Sequence, residues 1–192
     1  MNIILIGPPG SGKGTQSKFI ENKFGVAQLS TGDMLRSNIA LETEIGIKAQ
    51  SIIDSGELVS DEIILDIIAE RIKEQDCIKG FILDGFPRNI NQAIGLDKML
   101  EKSNKNIDIV VELTVVKNDL FNRIRTRSKE TQFARADDTE DVLKKRLEIY
   151  DMQTKPIIPY YENKKLLHKV NGMEKIETVA KNINEILIKI LN

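Results

Sequence analysis

Gly7-Pro8-Pro9-Gly10-Ser11-Gly12-Lys13-Gly14-Thr15 has the residue types and spacing that hold the phosphates of a nucleotide. Glycine is needed where a Cβ would block an anion or where φ must be positive. Backbone N–H groups in such a turn point inward at a phosphate, and a helix opening at Gly12 adds its positive end. Lys13 supplies a mobile point charge for the outer phosphates. The apolar run Ile3-Ile4-Leu5-Ile6 before the loop and the helical pattern Gln16–Glu21 after it give the strand, turn, helix context the motif requires. The general pattern places Ser or Thr directly after the lysine, whereas here Gly14 comes between Lys13 and Thr15. Thr15 is therefore expected to touch a phosphate oxygen, with magnesium held mainly through water. The alternative, a glycine-rich turn with no ligand, fits poorly with four glycines, a lysine and a threonine at this spacing.

A second constellation says what happens to the phosphate. Phe81-Ile82-Leu83-Asp84 reads as a buried strand ending in a carboxylate, a common place to hold magnesium or its waters. Gly85-Phe86-Pro87-Arg88 follows at the carboxyl end of that strand, where ligands of open α/β sheets bind. Gly85 allows close approach, Phe86-Pro87 is a reasonable place for a cis bond, and the planar fork of Arg88 can clamp a phosphate. Standing alone, Arg88 would read as a surface ion pair.

These residues need a scaffold. The chain of 192 residues is long enough for one domain with a real core. With 41% hydrophobic and 30% charged residues and a net charge of −1, nothing global attracts nucleic acid or an anionic membrane. The single cysteine, Cys77, excludes a disulfide framework or a cysteine zinc site within one chain and reads as a buried apolar residue. The chain enters a strand within two residues, and neither a signal-like leader nor an 18-residue apolar run appears, which leads us to expect a soluble cytoplasmic protein. Strands are expected at Asn2–Ile6, Ala27–Ser30, Phe81–Asp84, Ile107–Leu113 and Leu166–Val170, separated by helical patterns; this is the signature of a parallel α/β sheet. Ile63, Ile64, Ile67, Ile68 and Ile72 mark a helix over Ser60–Gln75, with Ser60 as its cap and Asp61 and Glu62 in its first turn. Lys175–Leu191 repeats the periodicity. Two segments fit the alternation poorly: Thr31–Val59, read as an inserted helical flap, and the polar stretch Thr126–Asp138, read as a short mobile loop. Thr139–Tyr161 is one helical pattern, bent or ended near Pro156 and Pro159.

Four motifs taken together are specific. Gly7–Thr15, Leu29-Ser30-Thr31-Gly32-Asp33-Met34-Leu35-Arg36, Asp84–Arg88 with Gln92, and Arg135-x-Asp137-Asp138 followed by Arg146 resemble adenylate kinase, in order and over essentially the whole chain. Gly14 before Thr15 is itself part of that family's pattern. The resemblance implies a P-loop nucleoside monophosphate kinase fold: a five-stranded parallel sheet flanked by helices on both sides. It also implies one kinase domain with a core of residues 1–29, 60–125 and 139–192, a monophosphate-binding flap at 30–59 and a short lid at 126–138. It implies reversible, magnesium-dependent phosphoryl transfer from ATP to AMP giving two ADP, adenine nucleotide homeostasis as its purpose, and a monomer.

The resemblance also assigns residues. Gly10, Ser11, Gly12, Lys13, Gly14 and Thr15 would wrap the ATP phosphates, with Lys13 on the transferring group and Asp84 reaching magnesium through water. Thr31 would lie near the AMP base and Arg36 on its phosphate, with Glu57, Leu58 and Val59 packing along the adenine. Gly85, Phe86 and Pro87 would line the AMP side, Arg88 would grip its phosphate, and Gln92 would read the adenine edge. Arg123 and Arg127 would enter from the helix before the lid, and Arg135 and Arg146 would close from the far side. Near Gly172–Lys175 a backbone carbonyl, best placed at Glu174, would meet the adenine of ATP.

The arginines make physical sense without the family, because phosphoryl transfer needs positioning and electrostatic clamping more than covalent chemistry. An ionised phosphate acceptor needs no strong base, which fits a single histidine, His168, read as structural. For Arg123 and Arg127 the bland alternative is a solvated helix face. Only seven residues separate Arg127 from Arg135, so a hairpin-bearing lid has no room, and the segment has no cysteines for a zinc. The nearest rival reading is a UMP or CMP kinase, and Thr31 with Gln92 argues for adenine over it. A non-catalytic nucleotide sensor or switch is the rival from another class. Asn104-Lys105-Asn106-Ile107 and Asn163-Lys164-Lys165-Leu166 both lack the aspartate of a guanine-switch signature, and a sensor has little need for arginines on two sides of a transfer path.

Overall fold

The computed structural model describes residues 1–116, 119, 120, 123 and 139–191. Five strands, β1 (Ile3–Ile6), β2 (Ala27–Ser30), β3 (Phe81–Asp84), β4 (Ile109–Thr114) and β5 (Leu167–Asn171), form one sheet in the order 2-3-1-4-5. All four pairings are parallel. Among the described residues, the helices with both ends defined are α1 (Lys13–Phe24), α2 (Thr31–Ala40), α3 (Glu44–Asp54), α4 (Asp61–Arg71), α5 (Ile90–Lys102), α6 (Glu140–Ile149), α7 (Ile157–Asn163) and α8 (Ile176–Leu191).

Alternation along each strand feeds two cores, as expected for a parallel sheet covered on both sides. Ile4, Ile6, Leu29, Leu83 and Val110 pack with Ile64, Ile68, Leu96 and Tyr161 of α4, α5 and α7. Ile3, Leu5, Ile82, Ile109 and Val111 pack on the opposite face with Ile20 of α1 and Val179, Ile183 and Leu187 of α8.

The five expected strands are all present, shifted by at most two residues. Thr31–Val59 holds the two expected helices, α2 and α3, capped by Ser30 on the Asp33 N–H and by Thr43 on the Gly46 N–H. Two readings are corrected. Ser60 takes the N-cap position of α4, but its side chain makes no capping bond, so Asp61 and Glu62 supply the first-turn electrostatics. The helix read over Ser60–Gln75 stops at Arg71 and is followed by a 3₁₀ turn at Gln75–Cys77, with the Arg71 guanidinium paired to Asp76 of that turn. Cys77 is fully buried, and burial pushes its thiol up to about 11, as an inert structural cysteine should show. Thr139–Tyr161 does break near Pro156, through a π-helical turn at Tyr150–Thr154 in which the Lys155 N–H reaches back to the Tyr150 carbonyl over 2.8 Å. Pro156 is the N-cap of α7, and Pro159 lies in its first turn, where a missing N–H costs nothing.

One strand residue is strained electrostatically. Glu112 lies between Ile6 of β1 and Lys169 of β5, and its Oε2 is buried with no partner among the described residues. Burial holds this carboxyl above the usual range, and Lys169 only partly offsets it. A carboxyl with a raised folded-state pKa binds its proton more tightly in the folded chain, so stability falls as pH rises through that window. Glu112→Gln should therefore raise the thermal midpoint at about pH 8, with the gain shrinking as pH falls toward about 4.3, the free-glutamate value. A gain independent of pH would contradict it.

Candidate active site

The strand order brings the motifs together. β1 and β3 are neighbours with Leu5 opposite Asp84, and β2 lies beside β3 with Ser30 opposite Asp84. The loops leaving all three strands therefore open at the same carboxyl edge. They border a cleft of about 1110 Å³, just above the roughly 300–1,000 Å³ typical for one small ligand.

The glycine-rich loop forms one wall. Gly10 and Gly12 take positive φ, 82° and 94°, and Gly12 caps α1. All six residues from Gly10 to Thr15 line the cleft, with Ser11 buried and Thr15 exposed. Lys13 Nζ lies back over the loop, donating to the carbonyls of Gly7 at 2.7 Å and Pro8 at 3.1 Å. A side chain at Gly14 would begin 3.5 Å from Asp84 Oδ2. The β3 carboxylate therefore lies in ordinary contact distance of residue 14.

The opposite wall joins β3 to α5 and the α2–α3 pair. Gly85 has φ 81°, and Phe86-Pro87 is cis. Arg88 Nε donates to the Gly85 carbonyl over 2.6 Å, folding the side chain back along the loop. Thr31, buried, donates its hydroxyl to that same carbonyl over 3.0 Å. Arg36 pairs with Asp33 one turn earlier on α2. Leu58, Val59, Phe86, Pro87 and Gln92 supply the apolar and amide part of this wall, with Glu57 at its rim. Glu57 also pairs with Lys145 of α6 over 2.7 Å, and both groups are substantially exposed. Such a surface pair is worth about 1 kcal/mol or less, so it does not lock the α2–α3 pair against α6.

Arg123 and Arg146 line the cleft from the third side. Arg123 Nη1 donates to the Gly172 carbonyl over 2.8 Å, tying the segment after β4 to the turn after β5. Glu174 lies at the rim, its Oε2 accepting from Asn182. Arg127, Arg135 and the Asp137-Asp138 pair, with the short lid at 126–138, lie outside the described residues.

Three contributors carry no sequence signal strong enough to single them out. Asp61 accepts from both Asn89 and Gln92. Thr154, in the π-helical turn, donates its hydroxyl to the Arg88 carbonyl over 2.9 Å. Tyr150 lines the cleft, and burial raises its phenol well above the usual range, so it stays protonated.

A parallel sheet of this order, with a glycine-rich loop after β1, a helical pair after β2 and an Asp-Gly-Phe-Pro-Arg turn after β3, is the P-loop nucleoside monophosphate kinase fold. The family model described as adenylate kinase matches residues 5–166. An adenylate kinase of Methylobacterium radiotolerans is 49% identical over 191 residues, covering 97% of this chain and 96% of that protein. One of Parvibaculum lavamentivorans is 49% identical over 188 residues, covering 97% and 92%. One of Archaeoglobus fulgidus is 43% identical over 215 residues, covering 99% of each chain. The chain therefore belongs to the adenylate kinase family and is an enzyme of phosphoryl transfer between ATP and AMP. The pyrimidine-kinase and sensor readings are not favoured.

Proposed function

We propose that the cleft holds both nucleotides at once, ATP on the glycine-rich loop and AMP between Arg88 and the α2–α3 pair, and passes the phosphoryl group directly between them to give two ADP. The observation that carries this reading is that Lys13 and Arg88 follow the ends of two adjacent strands, β1 and β3, and line one cleft. On this reading the backbone N–H groups of Gly10–Thr15 bind the ATP phosphates, and Lys13 leaves its carbonyl partners to follow the group in transfer. Arg36 and Arg88 hold the AMP phosphate so that one of its oxygens lies in line for attack. Arg123 and Arg146, with Arg127 and Arg135, neutralise the charge that spreads over the equatorial oxygens. Thr31, Leu58, Val59 and Gln92 surround the AMP base. Residues 30–59 act as a flap and 126–138 as a short lid, and together they limit attack by water.

The residues also suit magnesium. Among the described residues no cluster of three or more His, Cys, Asp or Glu could hold a metal. Asp84 beside the loop, with the Thr15 hydroxyl in the same cleft, is the oxygen-only set of an ion that keeps its waters and takes phosphate oxygens. Magnesium arriving with ATP would draw charge from the phosphates, and Asp84 would hold it through water. The family's substrates, ATP, AMP and ADP, are the partners proposed here. Among the described residues no helix is long and apolar enough to cross a membrane, and we place the protein in the cytoplasm as a monomer.

The test is initial rates for the purified protein with ATP and each of AMP, CMP, UMP and GMP. AMP should be the fastest acceptor by a wide margin. Faster turnover with a pyrimidine monophosphate would overturn the adenine assignment.

A further inference from the structure

Gln92 is 2% exposed and lines the cleft, while Asp61 and Asn89, which help fix it, lie behind the wall. Its amide has two donor and two acceptor positions. Nε2 donates to Asp61 Oδ1 over 2.8 Å, and Oε1 accepts the Arg88 backbone N–H over 2.7 Å. One N–H and one oxygen lone pair are left for a ligand. The same Asp61 oxygen accepts from Asn89 Nδ2 over 2.8 Å, and Asn89 Oδ1 accepts the Gln92 backbone N–H over 2.8 Å. Asp61, the first residue of α4, is thus fastened to the start of α5 and sets the amide from behind.

The two partners of the amide are opposite in kind. Turning it over would face Nε2 to the Arg88 N–H and Oε1 to the Asp61 carboxylate, donor against donor and acceptor against acceptor. At a buried site each mismatch leaves polar groups unsatisfied. Of the two partners, the backbone N–H is common to almost any residue at 88. Asp61 is the half of the lock that depends on a side chain.

We propose that Asp61 is a specificity-determining positioning residue. By accepting from Gln92 Nε2 it fixes which edge the amide shows the base, and so makes the pocket choose a 6-aminopurine monophosphate over a 6-oxopurine one. The proposal rests on the reading of Gln92 as the contact to the AMP base. The 6-amino base offers an acceptor ring nitrogen beside a donor amine. The 6-oxo base offers a ring N–H beside an acceptor oxygen. An amide locked in one orientation matches only the first, and an amide free to turn over matches either.

The experiment compares kcat/KM for AMP and IMP, with ATP saturating, in the unaltered protein, Asp61→Ala, Asp61→Asn and Gln92→Leu. Unfolding midpoints are measured alongside, and Asp61→Leu replaces the alanine variant if lost volume unfolds it. Asp61→Ala should narrow the AMP-to-IMP ratio by about tenfold or more, the discrimination of one bidentate amide–base contact. Asp61→Asn, which keeps an acceptor oxygen in place, should retain most of that ratio. A purely structural role would lower both substrates by the same factor, and that result overturns the proposal. Gln92→Leu separates the two claims. An unchanged ratio in that variant defeats the reading of Gln92 and the proposal with it. A collapsed ratio there, with an unchanged ratio in Asp61→Ala, defeats the proposal about Asp61 alone.

Discussion

Replacing Arg88 with alanine is expected to lower kcat/KM for AMP by about 10³-fold or more, on the scale of single-arginine effects in phosphoryl transfer. That loss corresponds to about 4 kcal/mol of barrier or more. The guanidinium lies in the turn after β3, held by the Gly85 carbonyl through Nε, and its planar fork is the shape that binds a phosphate bidentately. The fold stands to lose much less. The bond to Gly85, a hydrogen bond from a charged group, contributes about 1.5–3 kcal/mol, which for a domain of this size moves the midpoint by roughly 3–12 °C. The Arg88 backbone, with its bonds to Gln92 and Thr154, is untouched by the change. Rates near those of the unaltered protein would remove Arg88 from the site. Thermal denaturation on the same samples separates lost chemistry from lost structure.

Lys13→Met should lower kcat by about 10²–10³-fold, the range for deleting one preorganised charge partner of a transition state, with a smaller change in the KM for ATP. Methionine keeps the stem and deletes only the ammonium. That ammonium is held by the Gly7 and Pro8 carbonyls and Ser11 Oγ, so it lies inside the loop. If Lys13 follows the group in transfer, its attraction is greatest in the transition state and the loss appears in kcat. A raised KM with unchanged kcat would instead make it a binding residue for ATP alone.

Much of this was legible in the residues because the physics that fixes it is local. Ile3–Ile6 and Phe81–Leu83 are continuous apolar runs because the sheet is covered on both faces. Gly10 and Gly12 sit where the phosphate loop needs positive φ. What escaped the sequence depends on distance or on a choice of rotamer. Asp61 and Gln92 meet across 31 positions, and the acidic start of α4 reads as ordinary helix-dipole chemistry. Ser60 has the right type for a cap and the right backbone, yet its hydroxyl makes no capping bond. Pro156 signals a break but not its form, since a five-residue backbone ring at Tyr150–Thr154 has no composition of its own. β4 starts at Ile109 and not at Ile107, and just ahead of it the Asn2 N–H donates to the Asp108 carboxylate while the Asp108 N–H donates to the Asn2 carbonyl.

The central claim is that one cleft passes a phosphoryl group straight from ATP to AMP. Incubating the protein with magnesium, AMP and ATP labelled in its γ-phosphate, and then separating the products, tests it directly. The label should appear in ADP formed from AMP, with one unlabelled ADP released from the donor for each labelled one and little inorganic phosphate. Label recovered mainly as inorganic phosphate, at a rate unaffected by AMP, would contradict it.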